Sequence, residues 1–97
     1  MSTMTPPRER SSRGTGSRTG GAWRVIVLND DHNTFEGVAT TLASVLPGVT
    51  YDSGMALANR IHNTGRAIVW SGPKEPAEHY WDQLGAHGLT MAPLEQG

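Results

Sequence analysis

Apolar residues run unbroken from Val25 to Leu28 behind Trp23, and the polar run Asn29-Asp30-Asp31 then stops them. The length and β-branched content predict a buried strand over 23–28, and the polar turn-formers predict a corner. Beyond it, Phe35, Val38, Ala39, Leu42, Val45 and Leu46 recur at helical spacing, with Thr34 placed to cap the first turn and Pro47-Gly48 to end the helix. A second helical pattern runs from about Ser53 to Asn63 through Met55, Ala56, Leu57, Ala58 and Ile61, with Gly65 as its C-terminal cap. Ala67 to Trp70 predicts a second strand, stopped by Ser71-Gly72-Pro73, where the proline suits the opening of a third helix. That helix buries Ala77, Trp81 and Leu84 on one stripe and stops near Gly88. Leu89 to Leu94 predicts a short last strand, and Pro93 argues that it lies at a sheet edge.

The order strand, helix, helix, strand, helix, strand predicts an α+β fold: a small three-stranded antiparallel sheet with three helices packed on one face. The pattern leaves the order of the strands in the sheet open. With 97 residues there is room for one domain. Without cysteine, neither a disulfide framework nor a thiolate metal site can hold it, so packing must. The apolar runs are too short to span a bilayer and no signal-peptide core opens the chain, which leads us to expect a cytoplasmic protein.

Charge divides the chain. Arg8, Arg10, Arg13 and Arg18 against Glu9 give residues 1–22 a charge of +3, which leaves −4 for the rest of a chain whose net charge is −1. With almost no large apolar residue among its Ser, Thr and Gly, that basic N-terminal extension is expected to be disordered, and 23–95 to form the core domain. Its few arginines have no interleaved aromatics, so neither nucleic acid nor a membrane is the expected partner. The glycines at 14, 16, 20 and 21 precede a strand at the wrong spacing for a dinucleotide fingerprint.

Candidate chemistry sits at the first corner. Asn and Asp are ordinary turn and cap residues, but a corner between a buried strand and a helix start also holds side chains rigidly where a ligand can meet them. His62, at i+4 from Ala58 on the face shared with Ile61, ends an apolar surface in an imidazole. It is either a histidine favoured by the helix C-terminal dipole or one half of a site whose other half is the acidic corner. An enzyme built on Asp30, Asp31 and His62 or His32 lacks supporting signals. There is no His-Glu-x-x-His spacing, no nucleophile has an identifiable base, and His79 and His87 lie eight apart. Neither catalysis nor a metal or other cofactor is expected. Tyr51, Trp70, Tyr80 and Trp81 read as core or rim aromatics.

The segment from about Trp23 to Leu94 resembles the ClpS adaptors, which deliver substrates bearing destabilising N-terminal residues to a Clp AAA+ unfoldase. Asn29-Asp30-Asp31 after the strand and Ile61-His62-Asn63-Thr64-Gly65-Arg66-Ala67 carry the resemblance, with Glu75 and Ala77-Glu78 following. Leu46-Pro47-Gly48, Val69-Trp70-Ser71-Gly72-Pro73 and the stretch from Gly88 to Leu94 look most like the cyanobacterial and plastid-type members.

The resemblance implies that Asn29, Asp30 and His62 hold the substrate's α-ammonium, and that its first side chain enters an apolar pocket formed by Phe35, Val38, Ala58 and Ile61, with Asp31 and Asn33 at the mouth and Thr90 nearby. The chemistry is sensible, since an ammonium offers donors only and an amide oxygen, a carboxylate and a neutral imidazole each supply an acceptor. An α-ammonium ordinarily loses its proton near pH ~8 and imidazole near ~6.5, so binding is expected to be strongest between those limits. The chain departs from the commoner pattern at Phe35 and Ala58, where methionine is usual, at Asn33, where threonine is usual, and at Thr90 in place of leucine. The class of first residue expected is Leu, Phe, Tyr or Trp. Glu75, Glu78 and Tyr80 map to the face that meets the unfoldase, of ClpC or ClpA type with ClpP, and the N-terminal extension is long enough to reach its pore. A related body that occupies or redirects the unfoldase without binding N-degrons is the alternative.

Overall fold

The structure, a computed structural model, describes residues 21–97. The expected disordered extension therefore lies, but for its last two residues, outside the described part. The elements follow as β1 (Trp23–Leu28), α1 (Phe35–Val45), α2 (Tyr51–Thr64), β2 (Arg66–Gly72), α3 (Lys74–Ala86) and β3 (Glu95–Gln96). β1 is the middle strand of an antiparallel sheet ordered β2-β1-β3, and the helices cover one face of it.

Alternation along β1 sorts its side chains between the two faces. Val25 and Val27 are buried in the core with Ala67 and Val69 of β2, beneath Val38 and Leu42 of α1, Ile61 of α2, and Ala77 and Leu84 of α3. Beyond the other edge of β1, Glu95 receives Arg24 at 3.5 Å and Arg66 at 3.0 Å, so one carboxylate ties the outer strands together across the central one. Such exposed pairs add at most about 1 kcal/mol each. The pairing carries a bulge: Val25 opposes Trp70 and Ile26 opposes Ile68, leaving Val69 as the extra residue. An extra residue flips the faces beyond it, which turns Trp70 toward α3, where its ring meets Tyr80 edge-on at 4.9 Å.

The helices begin and end where the sequence supplies caps. Thr34 Oγ1 accepts from Gly37 N at the start of α1. α2 begins at Tyr51, slightly before the apolar pattern does, because Thr50 and Ser53 form a reciprocal capping box one turn earlier. It ends at Gly65, whose left-handed φ of 91° suits a residue without Cβ. α1 and α2 approach closely at Gly54, where a Cβ would lie 2.8 Å from the Ala39 carbonyl oxygen.

The last strand is a correction. Residues 89–94 were expected to form it, yet the paired residues are Glu95–Gln96, and before them the chain touches β1 through one isolated bridge, Val27 to Met91. Only Leu28 N–H to Thr90 O and Ala92 N–H to Ile26 O link the two stretches. Pro93 has no N–H to continue the ladder, and the Ala92 carbonyl is taken instead by Trp81 Nε1 at 2.7 Å. β3 does lie at an edge of the sheet. Among the described residues, no helix is long and apolar enough to cross a membrane.

Candidate functional site

The corner after β1 is built around one carboxylate. Asp30 Oδ1 accepts from the backbone N–H groups of His32 (3.0 Å) and Asn33 (2.8 Å), and Oδ2 accepts from Asn33 Nδ2 and Thr90 Oγ1, both at 2.7 Å. The two local N–H bonds form an Asx-type turn, which redirects the chain into α1. Asn33 Nδ2 also donates to the Gly88 carbonyl at 3.0 Å, so the corner is fastened to the turn after α3. Asn29 N–H donates to the Gly65 carbonyl at 2.9 Å and fastens the same corner to the end of α2. Burial raises the Asp30 carboxyl, but the Thr90 hydroxyl, the two Asn33 donors and the His32 N–H together outweigh it and hold the group well below the usual carboxylate range. Asp30 is therefore an anion at neutral pH.

Behind this corner lies a hollow of about 230 Å³, lined by Val27, Leu28, Asn29, Asp30, Asn33, Phe35, Val38, Ala58, Ile61, His62 and Leu89. Its walls are apolar: Val38, Ala58, Ile61 and Leu89 are buried, and Phe35 is half-buried. Its mouth is polar, with the Asn29 amide, the Asp30 carboxylate and the His62 imidazole around it. The helix hairpin brings His62 back to the acidic corner, because Gly65 ends α2 beside Asn29. The His62 ring rests edge-on against Phe35, 5.1 Å between centroids and inclined at 61°. Among the described residues, neither the Asn29 side chain nor the His62 ring has a hydrogen-bond partner, and both residues are exposed.

Asn29, Asp30, Asn33, Phe35, Val38, Ala58, Ile61 and His62 thus come together around one hollow. Asp31 does not join them: the turn made by Asp30 leaves it exposed and outside the lining. Thr90 does not line the hollow either, since its hydroxyl is committed to Asp30 from behind. On α3, Glu75 and Glu78 are exposed, and Glu78 rims a shallow groove of about 430 Å³ with Trp81, Asp82, Pro93 and Leu94. Tyr80 lies elsewhere, half-buried with its ring against Trp70. Val27, Leu28 and Leu89 are lining residues that the sequence reading missed. The alternation of β1 could have placed Val27 on the helix side, but nothing local marks Leu89 as lining. Among the described residues, no group of three or more His, Cys, Asp or Glu side chains gathers that could hold a metal ion.

The chain as a whole is similar to known proteins. Residues 18–94 match the family model described as ATP-dependent Clp protease adaptor protein ClpS. The chain is 54% identical over 93 residues to the ATP-dependent Clp protease adapter protein ClpS of Nostoc sp., an alignment covering 96% of this chain and 93% of the relative. It is 55% identical over 73 residues to that of Thermosynechococcus vestitus, covering 75% and 78%. The chloroplastic adapter protein of Chlamydomonas reinhardtii is 34% identical over 75 residues, covering 77% of this chain and 46% of that one. Among solved structures, Agrobacterium tumefaciens ClpS2 bound to L-phenylalaninamide superposes with a TM-score of 0.74 at 24% identity, covering 81% of this chain and all of that one. With the family model matching most of its length and relatives this similar, the chain belongs to the ClpS family of Clp protease adaptors, in its cyanobacterial and plastid-type branch.

Proposed function

We propose that this adaptor captures the first residue of substrate proteins, an N-degron with a bulky hydrophobic side chain, and delivers them to a Clp AAA+ unfoldase in the cytoplasm. The observation that carries the reading is a single hollow, apolar within and ringed at its mouth by Asn29, Asp30 and His62. A chain's first residue is the one place in a protein where an ammonium and a side chain leave the same carbon. The mouth suits the ammonium and the hollow suits the side chain. A cavity of about 150 Å³ is enough to hold a benzene ring, so a hollow of about 230 Å³ has room for a leucine or phenylalanine side chain. L-phenylalaninamide, which the Agrobacterium protein binds, carries the same pair of features, a free α-amine and an aromatic side chain.

The magnitudes are adequate. Burying a Leu- or Phe-sized side chain contributes roughly 1.5–3 kcal/mol, and each charge-assisted hydrogen bond about 1.5–3. Against ordering costs, this reaches the micromolar range, about −8 kcal/mol. Blocked amines and internal segments bring no cation and leave the Asp30 charge uncompensated, so they are rejected. Delivery uses the α3 face carrying Glu75 and Glu78, whose acidic character suits a basic surface on the unfoldase.

Calorimetric titration with peptides differing only in their first residue tests the reading. Micromolar binding of chains beginning with Leu, Phe, Tyr or Trp, and none of those beginning with Asp or Gly, is the expected result. Equal affinity whatever the first residue would overturn capture and favour a modulator that acts on the unfoldase with its hollow idle.

A further inference from the structure

Thr90 is committed in two directions at once. Its carbonyl accepts Leu28 N–H at 2.8 Å and its hydroxyl donates to Asp30 Oδ2 at 2.7 Å, so one residue grips the chain on both sides of Asn29. The other three bonds to the Asp30 carboxylate come from His32 and Asn33, within the same turn. They fix the carboxylate relative to its own loop. The Thr90 hydroxyl, 60 residues away in sequence, is the one direct bond to the carboxylate from outside that turn among the described residues; Asn33 reaches the Gly88 carbonyl, but only from the loop's own side chain.

The same geometry limits what Asp30 can do. A carboxylate has about four lone-pair positions, and each Asp30 oxygen already holds two donors. Neutral donors occupy those positions without cancelling the charge. An arriving ammonium therefore finds a fixed negative charge whose acceptor sites are taken, beside an amide and an imidazole that no other described residue engages.

We propose that Thr90 is a positioning residue for amine capture, holding the Asp30 carboxylate at the mouth as a fixed charge while Asn29 and His62 make the direct contacts. The inference rests on the proposed binding of N-terminal residues and assigns Thr90 a part in it that does not involve touching the substrate.

The test compares Thr90→Val, which keeps the shape and removes the hydroxyl, with Thr90→Ser, which keeps the hydroxyl. Affinities are measured for a peptide beginning with phenylalanine and for its N-acetylated form, and the ratio between them is the readout. Wild type favours the free amine, Thr90→Val reduces that preference by roughly tenfold, and Thr90→Ser restores it. A merely structural defect would weaken both peptides together and leave the ratio unchanged, which would overturn the proposal. So would a Thr90→Val variant that behaves as wild type, or a Thr90→Ser variant that falls as far as Thr90→Val. A second measurement needs no peptide: NMR titration of the Asp30 carboxyl carbon in the ligand-free protein. Its midpoint should move to higher pH in Thr90→Val and stay in place in Thr90→Ser, and an unmoved midpoint in Thr90→Val would overturn the positioning role. A wild-type chain that binds neither peptide would refute the adaptor reading, while the carboxyl titration would still decide whether Thr90 positions Asp30.

Discussion

Substituting Ala58 with methionine separates the hollow from the stability of the fold. Ala58 is 3% exposed, and its side chain forms part of the wall on α2. A methionine there extends into about 230 Å³ of space, and its flexible thioether can follow the cavity without forcing the backbone. Methionine is nearly as good a helix former as alanine, so α2 loses little. Filling a hollow commonly stabilises a protein by about 0.5–2 kcal/mol. The substrate's first side chain then keeps only a narrowed space, and part of the roughly 1.5–3 kcal/mol of burial is lost. Losing about half of it, roughly 0.75–1.5 kcal/mol at 1.4 kcal/mol per decade, should weaken binding of peptides beginning with phenylalanine by about 3- to 10-fold. The assay is paired: fluorescence anisotropy with a labelled peptide, and urea denaturation of the same samples. The expected outcome is weaker binding by a protein at least as stable as wild type. Unchanged affinity in a well-folded Ala58→Met variant would show that the side chain is not housed beside Ala58, and the geometry argued above would fail.

Other perturbations follow from individual contacts. His62→Ala removes an open acceptor and the ring against Phe35, and should weaken peptide binding by about 10- to 100-fold while changing the urea midpoint little. Asp30→Asn removes a charge that four donors stabilise. Because the folded Asp30 carboxyl titrates below its unfolded value, its contribution is fully present above pH ~4 and is lost as pH falls through the folded midpoint. The stability gap between wild type and Asp30→Asn in urea should therefore be constant near neutrality and close as the solution is acidified below pH ~4. A gap that widens in acid would contradict the assigned bonds. Gly54→Ala places a Cβ 2.8 Å from the Ala39 carbonyl oxygen, so α1 and α2 must part. Denaturation should show a loss of about 1–3 kcal/mol.

The elements that proved legible in the sequence are those whose signals are local. The β-branched run of β1, the polar stop after it, the Thr34 cap and the left-handed Gly65 each act within a few residues. What stayed hidden depends on contacts between distant stretches. Nothing in Ala67-Ile68-Val69-Trp70 announces a bulge, because the extra residue is defined only against β1. The local pattern of Leu89 to Leu94 is weak and does not show that pairing waits until Glu95, since the contact that diverts this stretch, Trp81 to Ala92, comes from another element. The site divides in the same way. Asn29, Asp30 and His62 could be singled out by type and position, whereas the exposure of Asp31 and the bond from Thr90 to Asp30 emerge only once the turn is folded. Tyr80, which the resemblance groups with Glu75 and Glu78, follows them by five and two residues and so lies on another side of α3, where its ring meets Trp70.

The central claim is that a positively charged chain end is recognised together with the side chain beside it. L-phenylalaninamide and its N-acetyl derivative differ only at that amine, and titrating each into the isotope-labelled protein tests the claim most directly. The account predicts that the free amine shifts the NMR signals of Asn29, Asp30 and His62 together with those of Ala58 and Ile61, and that the acetylated compound shifts none of them at the same concentration. Equal shifts from both compounds, or shifts confined to residues remote from this corner, would contradict it.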